Sequence, residues 1–220
     1  MDKMHVEVLI STYDRLESLR RCIKSIVECD YKDVSIFVVV DGNRRLFNKL
    51  LAEPVTMLFN EKRMDYVFSM NRALLEMGDV DAVLYGSDDL TFAPSCISEA
   101  VIALKKHFPD GDGVIGLNSG GPPTAFGLMG RKFINRFPDR QVFCPEYLHF
   151  GGDSELGKFA KKIDRFHFAT GAVVEHVFAQ KGRTTELSRL AKKHDRPMYR
   201  RRRGKGLYWG ESFELLGEKK

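Results

Sequence analysis

Two adjacent aspartates, Asp88 and Asp89, are the side chains best placed to do chemistry in this chain. They follow the run 82–85 (Ala-Val-Leu-Tyr), which is short, apolar and partly β-branched, as expected of a buried strand in a parallel sheet. Ligands of open α/β sheets bind beside the carboxyl ends of the strands. Two carboxylates at that position suit a divalent cation that carries the phosphates of a substrate. A solvated Asp-Asp turn is the alternative interpretation of the dipeptide.

Polar side chains also follow the first two predicted strands. Ser11 and Tyr13 come after the strand at 6–10, and Asp41 ends the strand at 34–40. Because these strand ends meet at one edge of a doubly wound sheet, they and the aspartate pair predict a nucleotide site. The first strand is followed by neither a Gly-x-Gly-x-x-Gly motif nor a P-loop, which argues against a dinucleotide dehydrogenase and a P-loop NTPase. Without a glycine-rich loop, a metal would have to neutralise the phosphates.

Strands and amphipathic helices alternate through the first half of the chain. Apolar residues recur at helical spacing between the short apolar runs. The predicted strands lie at 6–10, 34–40, 55–59 and 82–85, and the predicted helices at 16–28, 47–51, 65–77 and 95–107. Ser95 is the expected N-cap of the last helix. This order is typical of a parallel sheet with right-handed crossovers.

The second half of the chain changes character. Glycine and proline are frequent at 118–123, which predicts a loop, either inert or a mobile lid. Strand-like segments occur at 114–117, 126–131 and 165–174, with a helix at 153–162. We expect these elements to extend the sheet of the first half and not to form an independent domain.

The bulk composition limits the classes of protein. With 220 residues, 43% of them hydrophobic, the chain can form one sizeable core. No stretch approaches the roughly 18 apolar residues of a membrane span, and the N-terminus lacks the apolar core of a signal peptide. The four cysteines are scattered without a Cys-x-x-Cys pair. This argues against a zinc or disulfide framework and favours a reducing cytoplasm.

The formal net charge of +5 is unevenly distributed along the chain. Much of the excess follows residue 180, above all in the run 200–205 (Arg-Arg-Arg-Arg-Gly-Lys). Such a run can bind a phosphate-rich partner or an anionic membrane surface, or it can be a solvated tail. The charge alone does not distinguish these cases.

Several segments of the first half carry a resemblance to a known family. The opening strand ends in Ser11-Thr-Tyr-Asp-Arg15, the second strand ends in Asp41-Gly42, and Asn71 precedes a DxD-like segment at 87–94. In this order and spacing they resemble family 2 glycosyltransferases of the GT-A fold, similar to SpsA-like nucleotide-diphospho-sugar transferases. The match extends over about residues 6–178. It implies an α/β, Rossmann-like GT-A fold with a mixed, mainly parallel sheet flanked by helices.

The resemblance also implies roles for the strand-end residues. Nucleotide contacts would come from Ser11, Tyr13, Arg15, Asp41, Arg63 and Asp88. Asp88 would contact the ribose, while Asp89 would bind Mn²⁺ or Mg²⁺ bridging the diphosphate of the donor. A metal there would offset the negative charge that builds on the leaving diphosphate. The two arginines could instead be surface charges.

Asp153 is the candidate general base. The segment 150–156 (Phe-Gly-Gly-Asp-Ser-Glu-Leu) resembles the Glu-Asp-x-x-Leu motif of the family, whose aspartate deprotonates the acceptor hydroxyl. Asp153 takes that position, although Gly152 replaces the usual glutamate. A carboxylate that opens a helix could also serve as its cap. Glu146 and Glu155 remain alternative bases.

His176 follows the last predicted strand, where related enzymes often have a further metal ligand. An imidazole ligand would favour Mn²⁺ over Mg²⁺, because Mg²⁺ prefers shells made only of oxygen. A purely structural histidine is the alternative. His149 and His167 have no such support.

Together these features predict an inverting, metal-dependent glycosyltransferase. Its donor would be a nucleoside-diphosphate-sugar, above all a UDP-sugar, and its acceptor a glycan, lipid-linked or other hydroxyl. Residues 1–180 would form the catalytic domain, divided into a nucleotide-binding half (1–110) and an acceptor half (111–180), followed by a basic helix or tail at 181–220. The alternatives are a sugar-phosphate nucleotidylyltransferase and a non-catalytic nucleotide- or nucleic-acid-binding protein. We expect a cytoplasmic location, with peripheral membrane attachment as a further option.

Overall fold

The computed structural model describes residues 3–177 and 183–211. Within them, eight strands form one mixed sheet in the order β3-β2-β1-β4-β7-β6-β8-β5. The strands are β1 (Val6–Thr12), β2 (Val34–Asp41), β3 (Thr56–Asn60), β4 (Ala82–Ser87), β5 (Leu90–Phe92), β6 (Val114–Asn118), β7 (Gly127–Gly130) and β8 (Phe166–His176). The helices are α1 (Leu16–Val27), α2 (Arg44–Lys49), α3 (Asp65–Glu76), α4 (Cys96–His107), α5 (Arg131–Ile134), α6 (Gly152–Lys162) and α7 (Arg183–Gly204). The predicted α/β fold with a mainly parallel sheet is confirmed.

The first half forms the parallel part of the sheet, as the alternating pattern predicts. Strand β1 pairs in parallel with β2 and with β4, and β2 pairs in parallel with β3. Alternate residues of β1 enter different cores: Val8 and Ile10 pack with α1 and α4, whereas Leu9 packs with α3. The sheet is therefore covered by helices on both faces, and its strands are apolar on both sides.

The second half extends the same sheet with both strand directions. Strand β7 is antiparallel to β4 and to β6, whereas β6 and β8 are parallel. The three-residue strand β5, which the sequence analysis did not predict, is antiparallel to β8 and pairs Leu90 with His176. This pairing brings the end of β8 next to the aspartate pair.

The structure differs from the predictions at two helix N-termini, once in the boundary and once in the capping hydrogen bond. The second helix begins at Arg44, earlier than predicted, because the Asn43 side chain accepts a hydrogen bond from Leu46 N at 3.0 Å. Ser95 precedes α4 as predicted, but its side chain makes no capping hydrogen bond. Local hydrogen bonding of short polar side chains decides such ends, and propensity locates them only approximately.

The C-terminal helix α7 packs against the second half of the sheet domain. Its inward side chains include Ala191 and Asp195, both buried, and the partly buried Met198 and Tyr199 contact the core around α6. No helix in the described part of the chain is long and apolar enough to cross a membrane.

Candidate active site

A cleft of about 380 Å³ opens at the carboxyl ends of β1, β2 and β4. Its wall includes every residue that the sequence analysis assigned to the site: Ser11, Tyr13, Arg15, Asp41, Arg63, Asp88, Asp89, Asp153 and His176. These residues come from both halves of the chain. Parallel pairing of β1 with β2 and β4, and of β2 with β3, brings the first seven to one sheet edge. The structure thus brings all nine together.

Arg15 holds the two carboxylates of the aspartate pair. Its Nη1 donates to Asp89 Oδ2 at 2.6 Å, its Nε donates to Asp88 Oδ2 at 3.2 Å, and Nη2 pairs with Asp88 Oδ1. Thr12 Oγ1 donates a further hydrogen bond to Asp88 Oδ2 at 2.7 Å. Asp88 is completely buried and Asp89 is 5% exposed. The pair is therefore not a solvated turn, and Arg15 is not a free surface charge.

The pKa values of Asp88 and Asp89 are shifted in opposite directions. Burial raises the pKa of Asp88 to about 6, although the charge of Arg15 and the Thr12 hydrogen bond oppose the rise. Burial alone would also raise the pKa of Asp89. The hydrogen bond with His176 and the charge of Arg15 outweigh it and lower the Asp89 pKa to about 2. Asp89 is thus the member of the pair that is ionised over the whole physiological pH range.

His176 lies beside Asp89 because β8 pairs with β5. Its Nε2 is 3.3 Å from Asp89 Oδ1, and Ser87 Oγ donates to the same oxygen at 2.6 Å. The His176 ring also packs edge-on against Phe126, with centroids 5.2 Å apart. A carboxylate and an imidazole in contact are a donor set that Mn²⁺ accepts. In the described residues no group of three or more His, Cys, Asp or Glu side chains could hold a metal, so further ligands would come from substrate or water.

Another part of the cleft wall is formed by Tyr13 and Arg63. The guanidinium of Arg63 lies 4.7 Å from the centre of the Tyr13 ring, and its Nε donates to Asp65 Oδ1 at 2.9 Å. A planar cation on an aromatic ring offers a flat surface on which a nucleobase can stack. Neither Arg63 nor Asp65 is a free surface group.

Asp41 holds the loop that carries Arg63. Its Oδ1 accepts from Asn60 Nδ2 and from Met64 N, both at 2.8 Å, and its Oδ2 accepts from Asp65 N at 2.9 Å. Burial raises the pKa of Asp41, and these hydrogen bonds oppose the rise. The carboxylate lines the cleft, yet most of its hydrogen-bonding capacity already serves the protein.

Asp153 lies in the first turn of α6, after Gly151 in the left-handed conformation (φ 100°). Its removal from water raises its pKa to about 6, while backbone N–H groups at the start of the helix partly offset that rise. The N-cap of α6 is Gly151, so the expected cap role of Asp153 is wrong, but its position in the first turn of the helix still favours the ionised form. A carboxyl with a pKa near neutrality is suited to accept a proton.

The alternative bases Glu155 and Glu146 are contradicted by the geometry, since neither lines the cleft. Glu155 is 2% exposed and accepts hydrogen bonds from Arg202, from Tyr147 Oη at 2.6 Å and from Trp209 N at 2.5 Å. Glu146 pairs with Arg202 at 3.1 Å on the protein surface. Both glutamates therefore anchor the C-terminal segment, and the basic run at 200–205 is in part an internal structural element.

Several cleft residues were missed by the sequence analysis. His149 was given no support, yet it lines the cleft, as do Tyr66, Phe150, Ser188 and Lys192. The segment 148–150 is fixed by Asp195, whose carboxylate accepts from Leu148 N, His149 N and Phe150 N at 3.0, 2.9 and 2.7 Å. His167 lies away from the cleft, stacked on His107 at 3.6 Å. The sequence offered one signal for the contact between α7 and the segment 148–150. Asp195 is the single acidic residue in the basic stretch 187–210.

Comparisons with known proteins point to one family. The model of the family described as "Glycosyl transferase family 2" matches residues 7–159. A curated relative, a glucosyl-dolichyl phosphate glucuronosyltransferase of Haloferax volcanii, is 28% identical over 114 residues, covering 49% of this chain and 36% of that protein. The chain thus spans little more than a third of that relative's length.

Solved structures share the fold at low sequence identity. The mannosyltransferase PcManGT from Pyrobaculum calidifontis, in complex with GDP-Man and Mn²⁺, superposes with a TM-score of 0.65 at 17% identity, over 88% of this chain and 62% of that one. S. aureus TarS 1–349 in complex with UDP-GlcNAc gives a TM-score of 0.66 at 15% identity, over 87% and 66%.

Proposed function

Because the chain belongs to glycosyl transferase family 2 and has its GT-A fold, we propose that it is an inverting, metal-dependent glycosyltransferase. It would transfer a sugar from a nucleoside diphosphate to an acceptor hydroxyl. The proposal rests on one observation: the aspartate pair and Asp153 line the same cleft. An ionised acid next to an imidazole suits a diphosphate-binding metal, and a near-neutral acid suits a base.

The donor nucleotide would lie along the ends of β1, β2 and β4. Its base would stack at the Tyr13–Arg63 pair, with Ser11 and Asp41 as polar neighbours. Asp88 would accept from a ribose hydroxyl, and Arg15 would move from the aspartates toward the diphosphate. The structural neighbours bind GDP-Man and UDP-GlcNAc, so both a UDP-sugar and a GDP-sugar are candidate donors.

Asp89 and His176 would hold Mn²⁺, with Mg²⁺ as the alternative. Their contact at 3.3 Å and the low pKa of Asp89 fit such an ion, because metal ligands have to be deprotonated. When bound, the ion would stabilise the negative charge of the departing diphosphate. The complex of PcManGT includes Mn²⁺, which supports this proposal by analogy.

Asp153 would act on the acceptor. Its carboxylate would take the proton of the acceptor hydroxyl while that oxygen forms a bond to the anomeric carbon. The bond from this carbon to the phosphate oxygen breaks at the same time, and its electron pair leaves with the nucleoside diphosphate. A single displacement of this kind inverts the anomeric configuration.

The acceptor would be a hydroxyl of a glycan or of a lipid-linked sugar. The curated relative carries glucosyl-dolichyl phosphate in its name, which favours the lipid-linked class. Four unpaired, buried cysteines are compatible with a reducing cytoplasm, where we place the enzyme.

Titration calorimetry with UDP, GDP and TDP, with and without Mn²⁺, tests the donor site. We expect one nucleotide to bind, and we expect Mn²⁺ to strengthen its binding in the wild type and not in Asp89→Ala. Screening nucleotide-sugars for slow hydrolysis then identifies the sugar. Binding that ignores both Mn²⁺ and the Asp89 substitution would contradict the metal-dependent mechanism.

A further inference from the structure

We propose that the exposed face of α7 is a docking surface for anionic phospholipid membranes. Seven lysine and arginine side chains are exposed in the described part of this helix, and five of them share one face: Arg189, Lys193, Arg196, Arg200 and Arg203. We call these five residues the basic stripe. The proposal concerns binding alone and does not depend on the transferase activity proposed above.

The spacing of the basic stripe places it on one face of the helix. Its members follow one another at intervals of four, three, four and three residues, which at about 100° per residue keeps them within an arc of roughly 80°. At about 1.5 Å per residue the stripe is roughly 21 Å long. The only acidic residue between 187 and 210 is Asp195, and it is buried on the opposite face. Glu186, in the first turn of the helix, lies three residues before Arg189, and beyond it no exposed carboxylate of the described helix accompanies the stripe.

The stripe differs from the run of arginines that the sequence draws attention to. Arg202 faces inward to Glu155 at 2.7 Å, and Arg201 lies 3.8 Å from Glu146. These two charges are already engaged by the protein. The charges of the basic stripe are available to a partner. They begin at Arg189, well before the run at 200–205.

The chemistry of the same surface favours a membrane over a nucleic acid. Leu190 is 55% exposed beside the stripe, and Leu207 is 50% exposed just beyond the helix. Apolar side chains next to basic ones are typical of helices that lie in a lipid interface. The described aromatic rings of this region, Tyr199, Tyr208 and Trp209, are partly buried against the core and do not form an exposed platform for bases.

The position of α7 connects this surface to the cleft. Ser188 and Lys192 of the same helix line the cleft, so a membrane contacting α7 would lie next to its opening. That arrangement would bring the cleft to hydroxyls presented at a lipid surface. Lys192 Nζ also lies 4.8 Å from the Phe150 ring, which shows how closely the helix adjoins the segment 148–150.

Vesicle co-sedimentation of the full chain tests the proposal. We expect binding to phosphatidylcholine vesicles that contain phosphatidylglycerol, little binding to pure phosphatidylcholine, and weakening with salt. The variant Arg189→Glu/Arg196→Glu/Arg200→Glu should bind at least about 100-fold more weakly, since each basic residue near an anionic surface strengthens binding about fivefold.

The matched control is Arg21→Glu/Arg45→Glu/Lys49→Glu, which makes the same change of net charge at exposed positions on α1 and α2. It should keep the wild-type affinity, and circular dichroism should show that both variants are folded. Equal losses in both variants, equal binding to neutral vesicles, or no vesicle binding by the wild type would overturn the proposal. Stripe-dependent binding to a DNA or RNA oligomer that exceeds vesicle binding would replace the membrane with a nucleic acid.

Discussion

At the scale of single residues, the proposed mechanism requires an ionised carboxylate at Asp153. Burial gives its carboxyl a pKa of about 6, and a base has to be ionised to act. We therefore expect kcat/KM to be constant above that pH and to fall about tenfold per unit below it, because protonation removes the base. A pH–rate profile measured with saturating Mn²⁺ checks this.

The substitution Asp153→Asn keeps the size of the side chain and removes the proposed base. We expect kcat to fall by about 10³-fold, while the affinity for the nucleotide measured by calorimetry stays within about twofold. Glu146→Gln is the control, because Glu146 pairs with Arg202 outside the cleft. A loss of kcat in Asp153→Asn no larger than the loss in Glu146→Gln would assign the base elsewhere, whereas an acid limb that persists in Asp153→Asn would be attributed to Asp88, whose pKa is also about 6.

Gly42 is the residue at which the proposed nucleotide site depends on the absence of a side chain. It has φ 74°, and a Cβ atom there would lie 2.4 Å from the backbone nitrogen of Arg63. Gly42→Ala should therefore displace the loop that carries Arg63 and lower the free energy of unfolding by more than about 1 kcal/mol. Nucleotide affinity should decrease as well, because the Tyr13–Arg63 surface is disturbed. Gly78→Ala, where a Cβ would meet nothing within 4 Å, should leave both quantities nearly unchanged in denaturation and calorimetry.

At the scale of elements, the parallel half was predictable and the additions to it were not. Apolar runs separated by amphipathic helices determine β1 to β4, and polar residues that end parallel strands necessarily meet at one edge. Strand β5 is only three residues long, so its pattern carries little information, yet it decides that His176 lies beside Asp89. The sequence pattern does not show which face of α7 is buried, because its one buried acid, Asp195, is surrounded by basic residues in the sequence.

Asp195 connects α7 to the segment that precedes the candidate base. Three backbone amides at 148–150 depend on its two oxygens, so Asp195→Asn leaves at least one of them without an acceptor. We expect a loss of about 1–3 kcal/mol in the free energy of unfolding. We also expect a roughly tenfold lower kcat with little change in donor KM, because the base would be misplaced while the nucleotide half is intact.

If Asp195 has only a structural role, Asp195→Asn should leave the pH profile of kcat/KM unchanged. If Asp195 positions the candidate base, the acid limb of that profile should move to a different pH. The control is Asp164→Asn at an exposed residue with φ 55°, a conformation that asparagine adopts as readily as aspartate. We expect wild-type stability and kinetics for it. Asp195→Asn with unaltered kcat and pH profile would show that the segment 148–150 does not need this anchor.

At the scale of the whole molecule, the C-terminal segment is tied into the catalytic domain by buried polar contacts. Arg202 is bonded to Glu155 within the core around α6, and Trp209 Nε1 donates to Gln141 O at 2.6 Å. The predicted boundary near residue 180 marks a change in the charge of the sequence. The contacts of Arg202 and Trp209 join the described residues on its two sides. Segments joined through a buried ion pair and shared core residues are expected to unfold together.

Trp209 is the only tryptophan and lies in the C-terminal segment, whereas far-UV circular dichroism reports on all helices and strands. We expect urea unfolding curves from Trp209 fluorescence and from circular dichroism to coincide. Arg202→Met should shift both curves together by about 3 kcal/mol, because it leaves Glu155 buried without its cation. Arg203→Met, at an exposed neighbour, should shift neither. Curves that separate, with fluorescence changing first, would show that the segment after 180 is an independent unit.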